Sequence, residues 1–439
     1  MKRIAAYTLG CKVNQYDTEA MLESFERAGY LPVPFHEDAE VYLINTCTVT
    51  GTGDQKSLKT VRRVAREHPE SAIIVSGCLA QREAESICEM DNVRLVIGVQ
   101  RRSEVVSLFQ QAMTEDTVIN AVAELKGADF EGLFVSRHEG KNRATMKIQE
   151  GCDRYCSYCI IPSVRGPVRS MPLQSVREEA QRIAASGYRE IVMTGIHLAS
   201  YGRGTEFGLG DAIKAVHSTP GIERVRIGSL EPMIVDEAFA HRLAAFPGLA
   251  RQFHLSMQSG SAGVLKRMNR RYTPEQYYSA CCRLREAMPG CAITTDVIAG
   301  FPGESEAEYE ETVQFVEKCR FARIHVFPYS RRSGTAADRM DGQLSMSKKK
   351  ERALRLIEIG NKLEQEYVSS MIGSVRRVLF EQTVGNGMAE GYTGEYVRVR
   401  APADSGDFVF VRIVGCEGTL ALGEPLQWTG GETDGLSVL

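Results

Sequence analysis

The sequence predicts an α/β protein in three consecutive parts: a parallel α/β unit over 1–115, a partial (β/α)6 barrel over 138–371, and a small β barrel over 372–439. Three observations carry this. Short apolar runs alternate with amphipathic stretches of helical period in the first part, the pattern of a parallel sheet covered by helices. The alternation returns about six times in the second part, too few units to close an eightfold barrel. The last part loses its helices and turns to short β-like runs separated by glycines.

In the first part, Ile4–Leu9, Val41–Asn45, Ile73–Ser76 and Val93–Ile97 read as buried strands, with helical spacing over Asp17–Ala28 and Lys56–Glu67. In the second, strands are predicted at Ala144–Gln149, Glu190–Thr194, Arg224–Ile227, Gln252–Met257, Ala292–Ile298 and Arg323–Phe327. Helices are predicted at Leu173–Ser186, Val235–Ala244, Pro274–Met288 and Glu306–Cys319, with a long charged one over Ser345–Met371. The third part offers Val375–Phe380, Glu395–Val399 and Phe408–Val414 as strands.

The 439 residues are 43% hydrophobic and 25% charged, ordinary for a globular chain, and the formal net charge of −3 projects no global positive field. No apolar stretch approaches the ~20 residues that cross a bilayer, and the opening Met1–Tyr7 reads as a strand, not as a signal peptide. A cytoplasmic protein with no membrane partner is expected. Twelve cysteines in a reducing compartment point to metal binding or catalysis wherever they fall in motifs. Cys88, Cys281, Cys282, Cys291, Cys319 and Cys416 share no ligand spacing and read as small buried hydrophobes.

The stretch Gly151-Cys152-Asp153-Arg154-Tyr155-Cys156-Ser157-Tyr158-Cys159 does carry such a motif. Three thiolates close together after a strand suit one corner of a cubane cluster. The fourth iron is left open to chelate the amino and carboxylate groups of a small molecule. Zinc is the alternative; it asks for a fourth ligand, and the nearest downstream histidine is the distant His197. The motif, on a partial barrel, resembles that of the radical S-adenosylmethionine superfamily. The resemblance implies that the cluster reduces the bound sulfonium and that the resulting 5′-deoxyadenosyl radical abstracts hydrogen from substrate. It further implies cofactor contacts from Tyr158, Thr194, Gly195, Ser229, Glu231, Gln258 and Asp296.

Cys11, Cys47 and Cys78 each closely follow a predicted strand, and a parallel sheet puts the C-terminal ends of its strands on one edge. Three thiolates distant in sequence are thereby predicted to converge on a second three-cysteine cluster, with Gly10 and Gly77 allowing the tight turns. This order of parts, with Thr8–Asp17, Asn45–Thr50, Ile160–Gly166, Gln258–Gly260 and Asp296–Glu304, resembles the radical S-adenosylmethionine methylthiotransferases. The resemblance implies two [4Fe–4S] clusters and S-adenosylmethionine as cofactors, a sulfur donor, an electron donor such as flavodoxin or ferredoxin, and a terminal TRAM-like RNA-binding barrel. It also implies that the second cluster carries the sulfur that is methylated and transferred.

Within that family, Gly10-Cys11-Lys12-Val13-Asn14-Gln15 is similar to the MtaB-like branch, whose substrate is N6-threonylcarbamoyladenosine beside the tRNA anticodon. The alternatives are isopentenyladenosine in tRNA and a ribosomal-protein aspartate; a non-catalytic electron carrier would have no use for an open iron. A substrate in the anticodon loop is accessible because its base leaves the stack at little cost. Its threonyl carboxylate calls for a cation, and Lys12, Arg331 and Arg332 are the candidates. Two basic clusters, Lys56, Lys59, Arg62, Arg63, Arg66 and Lys266, Arg267, Arg270, Arg271, are read either as phosphate contacts or as solvated helix faces. The last part is more acidic than basic, which places its RNA role in question.

Overall fold

The computed structural model describes residues 1–136, 138 and 142–426; the stretch 427–439 of the predicted third part, and 139–141 of the second, lie outside the described residues. Strands β1 (Arg3–Thr8), β2 (Leu31–Val33), β3 (Val41–Thr46), β4 (Ala72–Gly77), β5 (Val93–Ile97) and β6 (Ile119–Asn120) form one parallel sheet in the order β2-β1-β3-β4-β5-β6. Successive residues feed two cores. Ile4, Leu43, Ile74 and Leu95 lie on one face; Ala5, Tyr42, Ile44 and Ile73 lie on the other. Burial on both faces explains why these strands read as unbroken apolar runs. Helices α1 (Lys12–Arg27), α2 (Gly51–Glu67) and α3 (Cys78–Arg82) follow β1, β3 and β4.

The central part holds β7 (Arg143–Glu150), β8 (Arg169–Ser170), β9 (Glu190–Gly195), β10 (Arg224–Ile227), β11 (Gln252–His254), β12 (Ala292–Ala299) and β13 (Arg323–Pro328). They pair as β10-β9-β7-β8 and β11-β12-β13, and isolated parallel bridges at Val225–Leu249 and Leu230–Leu255 join the two groups. Only β8 runs antiparallel, so six parallel strands make the partial barrel. Met146, Ile191, Val225, Phe253 and Ile293 pack outward into the helical core. The alternating positions, among them Lys147, Arg226, His254 and Asp296, turn into the lumen and make it polar. The helices start as their sequences dictate: Ser305 with Glu308, and Thr273 with Gln276, close capping boxes.

Strands β14 (Val375–Gly385), β15 (Met388–Tyr392), β16 (Arg398–Pro402), β17 (Phe408–Glu417) and β18 (Leu420–Pro425) close a barrel in the order β14-β15-β16-β18-β17. The predicted strand Glu395–Val399 is displaced to Arg398–Pro402 because Tyr396 turns the chain at φ 67°. This barrel caps the N-terminal end of the central one. Arg224 donates to the carbonyls of Arg377 (2.6 Å) and Tyr392 (3.1 Å), and Arg226 donates to those of Thr393 and Gly394 (both 3.0 Å). Both guanidiniums pair with buried Glu190. Arg143 lies over the rings of Tyr392 and Tyr396 and pairs with Glu381 at 2.5 Å.

Candidate active site

Cys11, Cys47 and Cys78 stand at the C-terminal ends of β1, β3 and β4, which are neighbours in the sheet. Cys11 is the exposed N-cap of α1, Cys47 directly follows β3, and Cys78 opens α3; the last two are buried. The turns need their glycines. Gly10 has φ 106°, and a Cβ there would stand 3.1 Å from Cys47 Sγ; at Gly77, φ 97°, it would stand 2.3 Å from Asn45 Oδ1. Burial pushes the Cys47 thiol up and the Cys78 thiol to about 11, and a thiolate on Cys11 raises both further. Metal binding at this set would release those protons. Arg165 works the other way: its Nε donates to Cys78 Sγ at 3.2 Å.

Cys152, Cys156 and Cys159 lie on the loop after β7. Gly151, at φ 72°, starts that loop where a Cβ would stand 1.8 Å from the carbonyl oxygen of Pro167. Cys159 N donates to Cys156 O (2.9 Å), and the loop is pinned from outside by Ser157 N to Met268 O (3.0 Å) and Asn269 Nδ2 to Tyr155 O (2.9 Å). Burial raises Cys152 and carries Cys159 to about 12, while Arg270 donates to Cys156 Sγ at 3.3 Å. All three cysteines line one cleft.

Tyr158, Ser229, Glu231 and Gln258 line that cleft too. Thr194 and Gly195 end β9 just before Ile196 and His197, which line it. Asp296 does not reach it: three residues short of the end of β12, it faces His254 at 3.3 Å inside the lumen. His197 arrives in the cleft unforeseen, yet Nδ1 meets Ser200 Oγ at 2.7 Å and Nε2 meets Glu231 at 3.2 Å. Both ring nitrogens are thus hydrogen-bonded within the cleft wall. Among the described residues no three His, Cys, Asp or Glu side chains are grouped to hold a single metal ion. Burial alone would raise Glu231, but His197 and Arg154, at 2.6 Å, outweigh it and hold the carboxyl below its usual range.

The three candidate substrate cations differ. Arg332 is buried and binds Asp54 and Thr48, tying the central barrel to the segment after Cys47. Arg331 pairs with Asp338 at 2.6 Å. Lys12 has no ion-pair partner among the described residues; desolvation lowers it, Tyr396 opposes that, and Arg143 and Arg226 reinforce it. In the second basic cluster, Arg267 pairs with Glu308 (2.8 Å) and Arg270 is turned inward to Cys156, so Lys266 and Arg271 alone face solvent.

Sequence reasoning missed the buried network between the two thiol sets. Asp17 on α1 binds Arg102, Lys147 (2.5 Å) and Arg165 (3.7 Å); Glu150, which ends β7, binds Arg165 (2.6 Å), Arg102 (3.2 Å) and Arg169 (3.7 Å). Asn14 donates to Leu9 O (2.8 Å) and Thr46 O (3.0 Å) and accepts from Arg165. The signals were present: Asn14 lies three residues past Cys11, and Arg165 lies in the Ile160–Gly166 stretch after Cys159.

Residues 3–98 match the Uncharacterized protein family UPF0004, and residues 146–316 match the Radical SAM superfamily. The threonylcarbamoyladenosine tRNA methylthiotransferase MtaB of Bacillus subtilis (strain 168) is 40% identical over 406 residues, 91% of this chain and 90% of its own. The tRNA-2-methylthio-N(6)-dimethylallyladenosine synthase of Symbiobacterium thermophilum is 33% identical over 431 residues, 94% and 92% of the two chains. Among solved structures, the radical S-adenosylmethionine methyltransferase TsrM from Kitasatospora setae, with cobalamin and [4Fe–4S] cluster bound, superposes with a TM-score of 0.53. It is 15% identical over 74% of this chain and 75% of its own, a likeness of fold alone.

Proposed function

The chain belongs to the radical S-adenosylmethionine methylthiotransferases, in their MtaB-like branch, and from that premise we propose that it methylthiolates C2 of N6-threonylcarbamoyladenosine beside the anticodon of tRNA. Its cofactors are S-adenosylmethionine and [4Fe–4S] clusters. We assign one cluster to Cys152, Cys156 and Cys159 and the other to Cys11, Cys47 and Cys78. One observation carries this reading: Cys78 packs in the same apolar cluster as Ile160, the neighbour of Cys159. A reaction that cuts a C–H bond with one centre and delivers sulfur from another needs the two within reach of a single base. When bound, the Cys152 cluster supplies the electron that cleaves the sulfonium. The protein's part is to hold and orient. Tyr158, Ser229, Glu231 and Gln258 shape the cofactor cleft, Thr194 and Gly195 stand at its margin, Asp296 faces His254 in the lumen, and Arg270 steadies Cys156.

The base enters the polar lumen, where we assign Lys12 to the threonyl carboxylate. A charged hydrogen bond of ~1.5–3 kcal/mol is a factor of about 10–100. Lys12→Gln is therefore expected to raise KM for the threonylcarbamoyl tRNA about tenfold or more and to leave the isopentenyl tRNA unaffected. The test of the substrate is a competition between the two tRNAs read by nucleoside mass spectrometry. Product from the isopentenyl tRNA alone would refute the branch assignment and leave the radical chemistry standing.

We further propose that tRNA phosphates lie along α2, with the protein in the cytoplasm and served there by a flavodoxin- or ferredoxin-type reductant and a sulfur donor. Helix α2 rises directly from the Cys47 segment, and its exposed Lys56, Lys59 and Arg62 have no ion-pair partner among the described residues. In the C-terminal barrel, by contrast, four of the five arginines are ion-paired: Arg398 and Arg400 share Glu390, Arg376 meets Glu395 and Arg377 meets Glu223. Changing Lys56, Lys59 and Arg62 to Glu is expected to flatten the slope of log K for tRNA against log salt by about two to three. An unchanged slope would move the RNA elsewhere. No helix among the described residues is long and apolar enough to cross a membrane.

A further inference from the structure

Arg165 is fully buried between the two thiol sets, and each of its three nitrogens has a different partner. Nε donates to Cys78 Sγ at 3.2 Å, Nη1 donates to Glu150 Oε1 at 2.6 Å, and Nη2 donates to Asn14 Oδ1. Asn14 is in turn fixed by Leu9 O and Thr46 O, the carbonyls just before the Cys11 and Cys47 turns. Glu150 is separated from Cys152 by Gly151 alone. One planar guanidinium thus touches a sulfur of the first set, braces the turns of its other two cysteines, and is anchored beside the loop of the second set.

The charge around it is unbalanced. Four buried cations, Arg102, Lys147, Arg165 and Arg169, face three carboxylates, Asp17, Glu131 and Glu150. Uncompensated charge is expensive at such depth. A doubly positive [4Fe–4S] core on three thiolates keeps one net negative charge, which balances the surplus cation. Hydrogen bonds to sulfur and nearby positive charge both favour the reduced cluster.

Resting on the reading that Cys11, Cys47 and Cys78 hold a cluster, we infer that Arg165 is a positioning residue that raises the reduction potential of that cluster and fixes it against the Cys152 loop, through its hydrogen bond to Cys78 Sγ and its anchorage on Glu150 and Asn14. It does so selectively, because no sulfur of the Cys152 set accepts from it.

The test isolates one cluster by carrying Cys152→Ala, Cys156→Ala and Cys159→Ala, reconstitutes the full chain anaerobically, and follows the remaining cluster by potentiometric EPR. Arg165→Gln removes the charge; Arg165→Lys keeps it but replaces the fork with a point donor that cannot serve three partners. The expected midpoint is more negative in Arg165→Gln, with Arg165→Lys between it and the parent. Should Arg165→Gln fail to fold, Arg165→Lys alone decides, by a shifted midpoint and altered g-values. Equal midpoints and spectra in parent and variant, with the cluster present, overturn the role of Arg165. Absence of iron from the parent overturns the cluster assignment instead. A matching series in the Cys11, Cys47, Cys78 to Ala background should leave the Cys152 cluster nearly unmoved; an equal shift there overturns the selectivity.

Discussion

Replacing Cys11, Cys47 and Cys78 together with alanine is expected to remove about half of the reconstituted iron and all methylthiolated tRNA, while S-adenosylmethionine is still reductively cleaved. The cofactor cleft is built from the Cys152 loop and the strand ends of the central barrel, and none of its walls comes from the first sheet. Replacing Cys152, Cys156 and Cys159 should remove the other half of the iron and abolish cleavage itself, since the sulfonium then has no iron to chelate. Iron analysis, 5′-deoxyadenosine release and nucleoside mass spectrometry give three readouts that separate the two sets. Iron unchanged in either triple variant would contradict the two-site arrangement. Product formed by the first variant would contradict the sulfur-bearing role of Cys11, Cys47 and Cys78.

Arg102→Met is expected to lower stability by about 3–5 kcal/mol, the range for removing one partner of a buried ion pair. Arg102 is fully buried and serves Asp17, Glu131 and Glu150, so its loss strips Glu131 of its ion-pair partner and removes one of the cations that hold Asp17 and Glu150. The same change makes the protein acid-sensitive. Burial alone would raise the Glu150 carboxyl, but Arg102, then Lys147 and Arg165, outweigh it and hold the group far below the usual carboxylate range. A carboxyl depressed in the folded state contributes stability that is present above its unfolded pKa, ~4.3, and is lost as pH falls through the folded value. Without Arg102 the folded value rises, less stability is gained above pH ~4.3, and acid unfolding moves to higher pH. Urea unfolding at neutral pH and an acid titration followed by circular dichroism check both parts; midpoints equal to those of the parent would show that the network contributes nothing net.

The sequence disclosed most where one physical constraint dominates. Strands β3, β4 and β5 are buried on both faces and so had to be written in β-branched and aliphatic residues. From their order alone Cys11, Cys47 and Cys78 fall on one sheet edge, because parallel strands end on the same side. Strands β2, β6 and β8 were invisible; two or three residues carry no period, and β2 contains Pro32 at the sheet edge. Strand β15, Met-Ala-Glu-Gly-Tyr, hides its register behind a buried Glu390 that is paired to arginines of the next strand. Charged groups proved the least legible. Arg165 was marked only by its place in the stretch after Cys159, and nothing marked Arg270 or Arg332 for burial, yet Arg165 and Arg332 are buried against Cys78 and Asp54 and Arg270 is half-buried against Cys156. A guanidinium's position depends on which distant carboxylates and thiols the fold gathers, and local patterning does not record that. Lys12 was legible only through its place beside Cys11.

The contacts of Arg224 and Arg226 join the two barrels into one mechanical unit, since each guanidinium is shared between Glu190 of the central barrel and main-chain carbonyls of the small one. Because the acceptors are backbone groups, the joint tolerates side-chain changes at 377 and 392–394, whereas loss of either arginine or of Glu190 would loosen it by stranding buried polar groups.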